Sequence, residues 1–258
     1  MAKSRKRILF RWFLVIFWGS VAIWMFLQMQ ATGFDESILK TSSSVRVEHT
    51  SDFIRFIPNT LTDKTNDSIS YPTVIFYPGA LVQAEAYAPF ARELAENGFP
   101  VIIQKTPFRM AFTDGLEQKV FDTTLALFSE YSDSVKWVLA GHSKGGAMAS
   151  NFAKVHSNQI SGLILIGTSH PRRISLTDLT IPVTKIYGNK DKLASTEEID
   201  EFSVNLPSHT NYVLVEGGNH SQFGYYGTQL GSGTATITPE EQQRQLLEAS
   251  IQLLLNLK

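Results

Sequence analysis

The pentapeptide Gly141-His142-Ser143-Lys144-Gly145 constrains this chain more than any other stretch, because of what flanks it. Residues 135–140 read Val-Lys-Trp-Val-Leu-Ala, apolar and rich in β-formers, the pattern of a buried strand. Residues 146–154 are mostly small and apolar at helical spacing. A strand that enters a helix through Gly-x-Ser-x-Gly must turn sharply. A side chain at position 141 or 145 would strike neighbouring backbone, so both are glycine. The turn lifts the Ser143 hydroxyl clear of the sheet, and the helix N-terminus behind it stabilises developing negative charge. The pentapeptide alone recurs by chance in roughly one chain in ten of this length. It is the flanking strand and helix that make Ser143 a candidate nucleophile rather than a loop or N-cap serine.

A serine hydroxyl is a poor nucleophile at neutral pH without a base, and the base needs an acid to orient it. Two later strands end in suitable residues. One runs into Tyr187-Gly188-Asn189-Lys190-Asp191 and the next into Glu216-Gly217-Gly218-Asn219-His220. The order nucleophile, Asp191, His220 is that of a strand-to-helix serine elbow with its partners. Asp191 also suits a helix N-cap, and His220 an exposed turn. Of the other five histidines, His49 precedes the main sheet, and His142 sits inside the elbow with its side chain expected to point elsewhere. His156 and His209 are expected to face away. His170, just past a strand end, is the one competitor as base.

A tetrahedral oxyanion needs two backbone N–H groups aimed at one point. Lys144, which follows the nucleophile, supplies one candidate. Ala80, in the loop Pro78-Gly79-Ala80-Leu81, supplies the other. The Lys144 side chain is expected to be solvated, with an anionic substrate as its other reading. Leu81, Tyr87, Arg109 and Phe223 are candidate substrate contacts. Loops around 108–110 and 223–226 are expected to roof a shallow, open pocket, since the polar stretch 168–180 leaves no room for a helical cap.

The remaining pattern is buried β runs alternating with helices. Residues 45–48 and 53–57 alternate like half-exposed antiparallel strands, and 59–70 reads as a polar loop. Buried strands follow at 73–77, 100–104, 162–167 and 182–188, with a last strand at 211–216. Amphipathic helices are expected over 84–97, 113–129 and 238–257, the last opened by Thr238-Pro239-Glu240-Glu241 as a capping box with proline at N1. This predicts an α/β domain with a mostly parallel sheet wrapped on both faces. A formal net charge of −1 gives no case for nucleic acid, which needs a basic face. Cysteine is absent, which excludes disulfides, thiolate metal sites and a Cys nucleophile.

Three stretches together resemble a bacterial α/β-hydrolase family with membrane-anchored members, of the dienelactone-hydrolase-like and carboxylesterase-like kind. They are Tyr77-Pro78-Gly79-Ala80 with Ala86-Tyr87-Ala88-Pro89, Gly141 to Gly146, and Gly217-Gly218-Asn219-His220-Ser221-Gln222-Phe223-Gly224-Tyr225-Tyr226-Gly227. The resemblance spans roughly 45–258. It implies the α/β-hydrolase fold without a cap domain, and Ser143, Asp191 and His220 as a triad. The resemblance adds little about the substrate; the reading expects a small-molecule ester, with no cofactor or metal. Ala80 stands where a second glycine is common, and Lys144 where Leu or Met is common; neither removes a backbone N–H. An acyltransferase or peptidase would use the same triad, and a non-catalytic surface domain could keep the scaffold. Nothing in the sequence fixes the oligomeric state.

Residues 1–30 carry a different signal. Lys3, Arg5, Lys6, Arg7 and Arg11 precede an apolar run from 12 to 27 that approaches the ~20 residues a bilayer requires. The basic cluster is expected to stay cytoplasmic, placing the rest outside a cell membrane on a single-pass anchor. A cleaved signal peptide is the alternative, although Met29 and Ala31 make a poor cleavage site. Residues 31–44 are polar and small, expected as a linker before a catalytic domain at 45–258. On that division a chain shortened to start near Ser42 should be soluble and active.

Overall fold

Side-chain alternation along the strands decides the architecture. The computed structural model describes residues 2–61, 71–111, 113–132 and 134–258, so most of the loop expected at 59–70 lies outside the described residues. Within them, β1 (Val45–His49), β2 (Phe53–Pro58), β3 (Pro72–Tyr77), β4 (Val101–Gln104), β5 (Lys136–His142), β6 (Gly162–Ile166), β7 (Val183–Gly188) and β8 (Asn211–Val215) form one sheet. Their order is β1-β2-β4-β3-β5-β6-β7-β8. The first two pairings, β1–β2 and β2–β4, are antiparallel and the rest are parallel.

The helices are α1 (Ala2–Gln28), α2 (Ala88–Glu96), α3 (Asp114–Ser129), α4 (Lys144–His156), α5 (Thr196–Phe202) and α6 (Pro239–Leu255). Successive strand residues point to opposite faces. Val74, Phe76, Val138, Ala140 and Ile164 therefore pack with Phe90 and Leu94 of α2 and Leu246 and Leu253 of α6. Ile75, Leu139, Leu163 and Leu165 pack on the other face with Phe121 of α3 and Met148 and Phe152 of α4. Both faces of the central strands are buried, which is why those strands read as unbroken apolar runs.

Local signals explain several boundaries. The helix expected from residue 84 begins as a tight turn, Ala84–Tyr87, and becomes α-helical at Ala88, with Pro89 in its first turn, where a missing N–H costs nothing. Thr238 Oγ1 accepts from Glu241 N at 3.2 Å, while the Glu241 carboxylate turns to Arg244 instead of closing the box. Helix α5 has no counterpart in the sequence reading, since Ile199 is its one buried residue. It starts where Ser195 Oγ accepts from Glu198 N. Residues 167–182 contain no helix, so no cap covers the sheet there.

The N-terminal helix stands apart from the core. Its stretch Arg5–Gln28 is the one described helix long and apolar enough to cross a membrane, and its apolar span is not buried in the rest of the protein. A membrane span and a signal sequence both have these properties. Aromatic and aliphatic residues from Ile8 to Leu27 are exposed all round it.

The stretch 31–44, expected as a linker, is instead packed against the domain. Ala31, Ile38 and Leu39 pack half-buried against the core of the α2 face, which Met29, just before the stretch and only 3% exposed, joins. Arg92 Nη1 donates to the carbonyls of Ile38 and Lys40, and His49 Nε2 meets the Leu39 carbonyl. The sequence reading missed this because the segment is short and polar, and its bonds are to residues distant in the chain. A chain starting at Gln28 is therefore expected to keep full stability in urea unfolding. One starting at Ser42 should lose at least about 2–4 kcal/mol, the scale of removing a buried Met. Equal unfolding midpoints for the two chains would show that the docked segment contributes nothing.

Candidate active site

Four loops leave the C-terminal edge of the parallel strands and converge. This edge is where open α/β sheets place their ligand crevices. The loop after β3 carries Gly79 and Ala80, β5 ends at Ser143, the loop after β7 carries Asp191, and the loop after β8 carries His220.

The elbow is fixed by contact between backbones. A Cβ on Gly145 would run into the Tyr77 carbonyl, and one on Gly141 into the Gly145 carbonyl. Between them Ser143 adopts φ 53 and ψ −118, a region side chains rarely occupy. Its N–H donates to the Ile166 carbonyl at 2.9 Å, and its carbonyl accepts from Ala147 N. The side chain makes no capping hydrogen bond, so the hydroxyl is not spent on α4.

His220 and Asp191 form a closed pair. His220 Nδ1 lies 2.7 Å from Asp191 Oδ2, with the two side chains 2% and 0% exposed. The other carboxylate oxygen, Oδ1, accepts from Leu193 N at 2.8 Å and Ala194 N at 2.9 Å. The capping reading of Asp191 and the acid reading are thus both realised, one on each oxygen. With both oxygens held, the carboxylate cannot rotate away, and Nδ1 is the nitrogen that donates. That leaves the His220 Nε2 lone pair enclosed and without a hydrogen-bond partner among the described residues. Ser143 Oγ is not hydrogen-bonded to it, a looseness common in such sites before substrate tightens them.

His142 departs from the sequence reading. Its side chain does not point away from the site; it is fully buried, and its ring centroid lies 4.7 Å from that of His220. His142 Nδ1 is 2.8 Å from the Tyr87 hydroxyl, which also accepts the Gly79 N–H at 3.0 Å. A phenol has one proton and here accepts the Gly79 N–H, so Tyr87 donates to His142 Nδ1, which leaves the His142 Nε2 proton buried and without a partner among the described residues. Burial holds the His142 pKa well below its usual value and the nearby His220 adds to this, while the His220 backbone pulls weakly the other way. His142 is therefore neutral. Tyr87 and Phe223, expected as substrate contacts, are buried in this layer, Phe223 packing against His142 at 5.8 Å. No sequence signal links Tyr87 to His142, which lie 55 residues apart.

The loop after β3 has its N–H groups assigned around one gap. Gly79 N–H goes to Tyr87, and Leu81 N–H to the Arg109 carbonyl at 2.7 Å. Among the described residues the Ala80 N–H between them has no acceptor. The Lys144 N–H opens α4, a position whose N–H has no partner within the helix. Leu81 is half-buried and held at φ 64, and Arg109 stacks its guanidinium 4.9 Å over the Phe26 ring. The Lys144 side chain is not simply solvated. Its Nζ is 2.8 Å from Glu117 Oε2 of α3, whose Oε1 accepts from Asn151 Nδ2.

Among the described residues no carboxylate is hydrogen-bonded to the other histidines. His49 and His209 meet backbone carbonyls, and His156 stacks on Phe152. His170 is half-buried; burial lowers its pKa to about 4, with Arg172, Lys144 and Lys185 adding to the shift. Lys185, itself lowered by burial to about 7, donates to the His170 carbonyl.

A model of the Alpha/beta hydrolase family matches residues 73–244, from β3 through the opening of α6. The chain belongs to this family. No curated protein matches this α/β hydrolase. Among solved structures it is similar to an alpha-beta serine hydrolase homologue from Coxiella burnetii, at 16% identity and TM-score 0.56, covering 85% of this chain and 99% of that one. A ferulic acid esterase from Streptomyces cinnamoneus matches at 14% identity and TM-score 0.57, over 74% of this chain and 68% of its own. A candidate dienelactone hydrolase from Klebsiella pneumoniae subsp. pneumoniae matches at 17% identity and TM-score 0.51, over 77% and 92%. At such identities the likeness is one of fold.

Two measurements check this description of the hydrolase. Tyr87→Phe strands the Gly79 N–H and His142 Nδ1 in a dry layer, and is expected to cost about 1–3 kcal/mol in chemical denaturation. An unchanged midpoint would mean that the phenol holds neither group. For His170, the folded pKa of about 4 lies below the unfolded value of about 6.5. The unfolded chain takes up that proton first, so the contribution is complete above about pH 6.5 and is lost as pH falls toward 4. His142 acts with the same sign. The melting temperature should therefore fall over this window, and less steeply in His170→Asn; parallel curves would contradict the assignment.

Proposed function

We propose that this α/β hydrolase is a serine esterase that cleaves a carboxylic ester through an acyl-enzyme. The observation that carries the reading is the Asp191–His220 pair, buried and fixed on both carboxylate oxygens, with Nε2 left free beside the Ser143 elbow. Ser143 Oγ attacks the acyl carbonyl while His220 Nε2 takes its proton. Asp191 keeps the imidazole in the tautomer with Nδ1 protonated and stabilises the imidazolium that forms. The oxyanion is held by the N–H groups of Ala80 and Lys144. His220 returns the proton to the leaving alcohol, then activates water to release the acid. A neutral His142 spares the imidazolium a second positive charge at close range.

The serine hydrolase homologue, ferulic acid esterase and candidate dienelactone hydrolase support ester-bond chemistry as the first class to test. Helix α1, with basic residues in its N-terminal turns and an apolar run after them, supports a single-pass anchor with the domain outside the cytoplasm. Docking of residues 28–32 favours retention of that helix, since cleavage beside Ala31 would strip Met29 from the core.

The test is turnover of p-nitrophenyl acetate together with labelling by a fluorophosphonate. Ser143→Ala is expected to abolish labelling and lower kcat by roughly three to six orders of magnitude, and Asp191→Asn by roughly four. Near-normal turnover by a folded Ser143→Ala protein would end the serine esterase reading.

A further inference from the structure

Helix α1 does not end in a flexible tether; it ends inside the catalytic edge. Gln28 accepts the Gly227 N–H on its carbonyl at 2.7 Å and the Thr228 N–H on its side chain at 3.0 Å. The Met29 carbonyl accepts from Gln83 N, Gln83 Oε1 accepts from Ala31 N, and Thr32 N–H donates to the Tyr225 carbonyl. These bonds fall on two loops only. One follows β3 and carries Ala80; the other follows β8 and carries His220. A Cβ on Gly227 would strike the Gln28 side chain, so helix end and loop are in direct contact. The third rim loop is attached as well: Arg109 lies over Phe26 of α1, and its carbonyl holds the Leu81 N–H.

The consequence is positional. The exposed helix Arg5–Gln28, 24 residues and about 36 Å long, is enough to cross a bilayer core of about 30 Å, and the domain begins where it ends. The catalytic edge, not the far edge of the sheet, then lies at the headgroup level. Beside Arg109, Phe108 is 80% exposed on a left-handed backbone, an apolar side chain of the kind that interfacial segments bury at the headgroup–acyl boundary. A freely diffusing ester gains nothing from this placement. The ester of a membrane amphiphile gains much, because its scissile bond sits at the same depth. Full withdrawal of its acyl chain into water would be opposed by every CH₂ it exposes.

We propose that the substrate of this site is an acyl ester of a lipid in the membrane that α1 occupies. Water adds across the acyl–oxygen bond, giving a free fatty acid and the hydroxyl-bearing remainder of the lipid. The inference rests on the esterase reading above and on retention of α1. The native chain would be reconstituted in phosphatidylcholine–phosphatidylglycerol vesicles containing a pyrene-labelled diacylglycerol, and turnover of that ester compared with turnover of p-nitrophenyl acetate. A second chain would carry twelve Gly/Ser residues between Leu27 and Gln28, which lifts the domain while leaving the contacts of residues 28–32 in place. The ratio of lipid to soluble turnover is read, so a general loss of folded protein cancels. That ratio is expected to fall at least tenfold on insertion. An unchanged ratio, or native turnover of the soluble ester with none of the lipid, overturns the proposal. Absence of turnover of both esters overturns the esterase reading, and this inference with it.

Discussion

The structure depends on backbone-to-backbone contact at the turn between β5 and α4. Gly145 lies against the Tyr77 carbonyl of β3, and Gly141 against the carbonyl of Gly145. There is no space for a methyl group at either place, so strand, helix and neighbouring strand are locked into one geometry. The unfavourable dihedrals of Ser143 persist because the surroundings over-determine them. The sheet order then brings the ends of β3, β7 and β8 around that fixed point.

Electrostatics at the site follow from a second crowding. Two imidazoles, His142 and His220, sit with ring centroids 4.7 Å apart in a dry layer. They cannot both be charged at modest cost. The protein settles the question by chemistry at their far nitrogens. His220 faces a carboxylate on Nδ1, and His142 faces a phenol whose own ionisation is suppressed by burial. The same phenol holds the Gly79 N–H, so the loop after β3 and the elbow share one hydroxyl.

What could be read in the sequence was whatever is local. The Gly-x-Ser-x-Gly turn, the two-residue alternation of the strands and the acid and histidine at later strand ends announce themselves within a few residues, and the folded chain places Asp191 against His220. What could not be read depends on pairs far apart. Lys144 looks solvent-bound until α3 brings Glu117 beside it. His142 looks outward-facing until Tyr87 and Phe223 close over it. Residues 31–44 look like a spacer because their polarity is local, whereas their first residues hydrogen-bond the Gln83 side chain and the Tyr225 carbonyl. Periodicity reports which face is apolar and is silent about which polar atom meets which.

The bond from Thr228 N–H to Gln28 joins residues 200 positions apart. Loop-closure entropy grows only slowly with length, so the contact is not unduly expensive once both ends exist. It is nevertheless late. During synthesis the elbow can form when α4 has emerged, but the bracket of residues 28–32 has nothing to grip until 225–228 have followed. The first part of the domain to leave the ribosome is thus among the last to find its place, and the edge that bears Ser143 stays unfinished until most of the chain has been made.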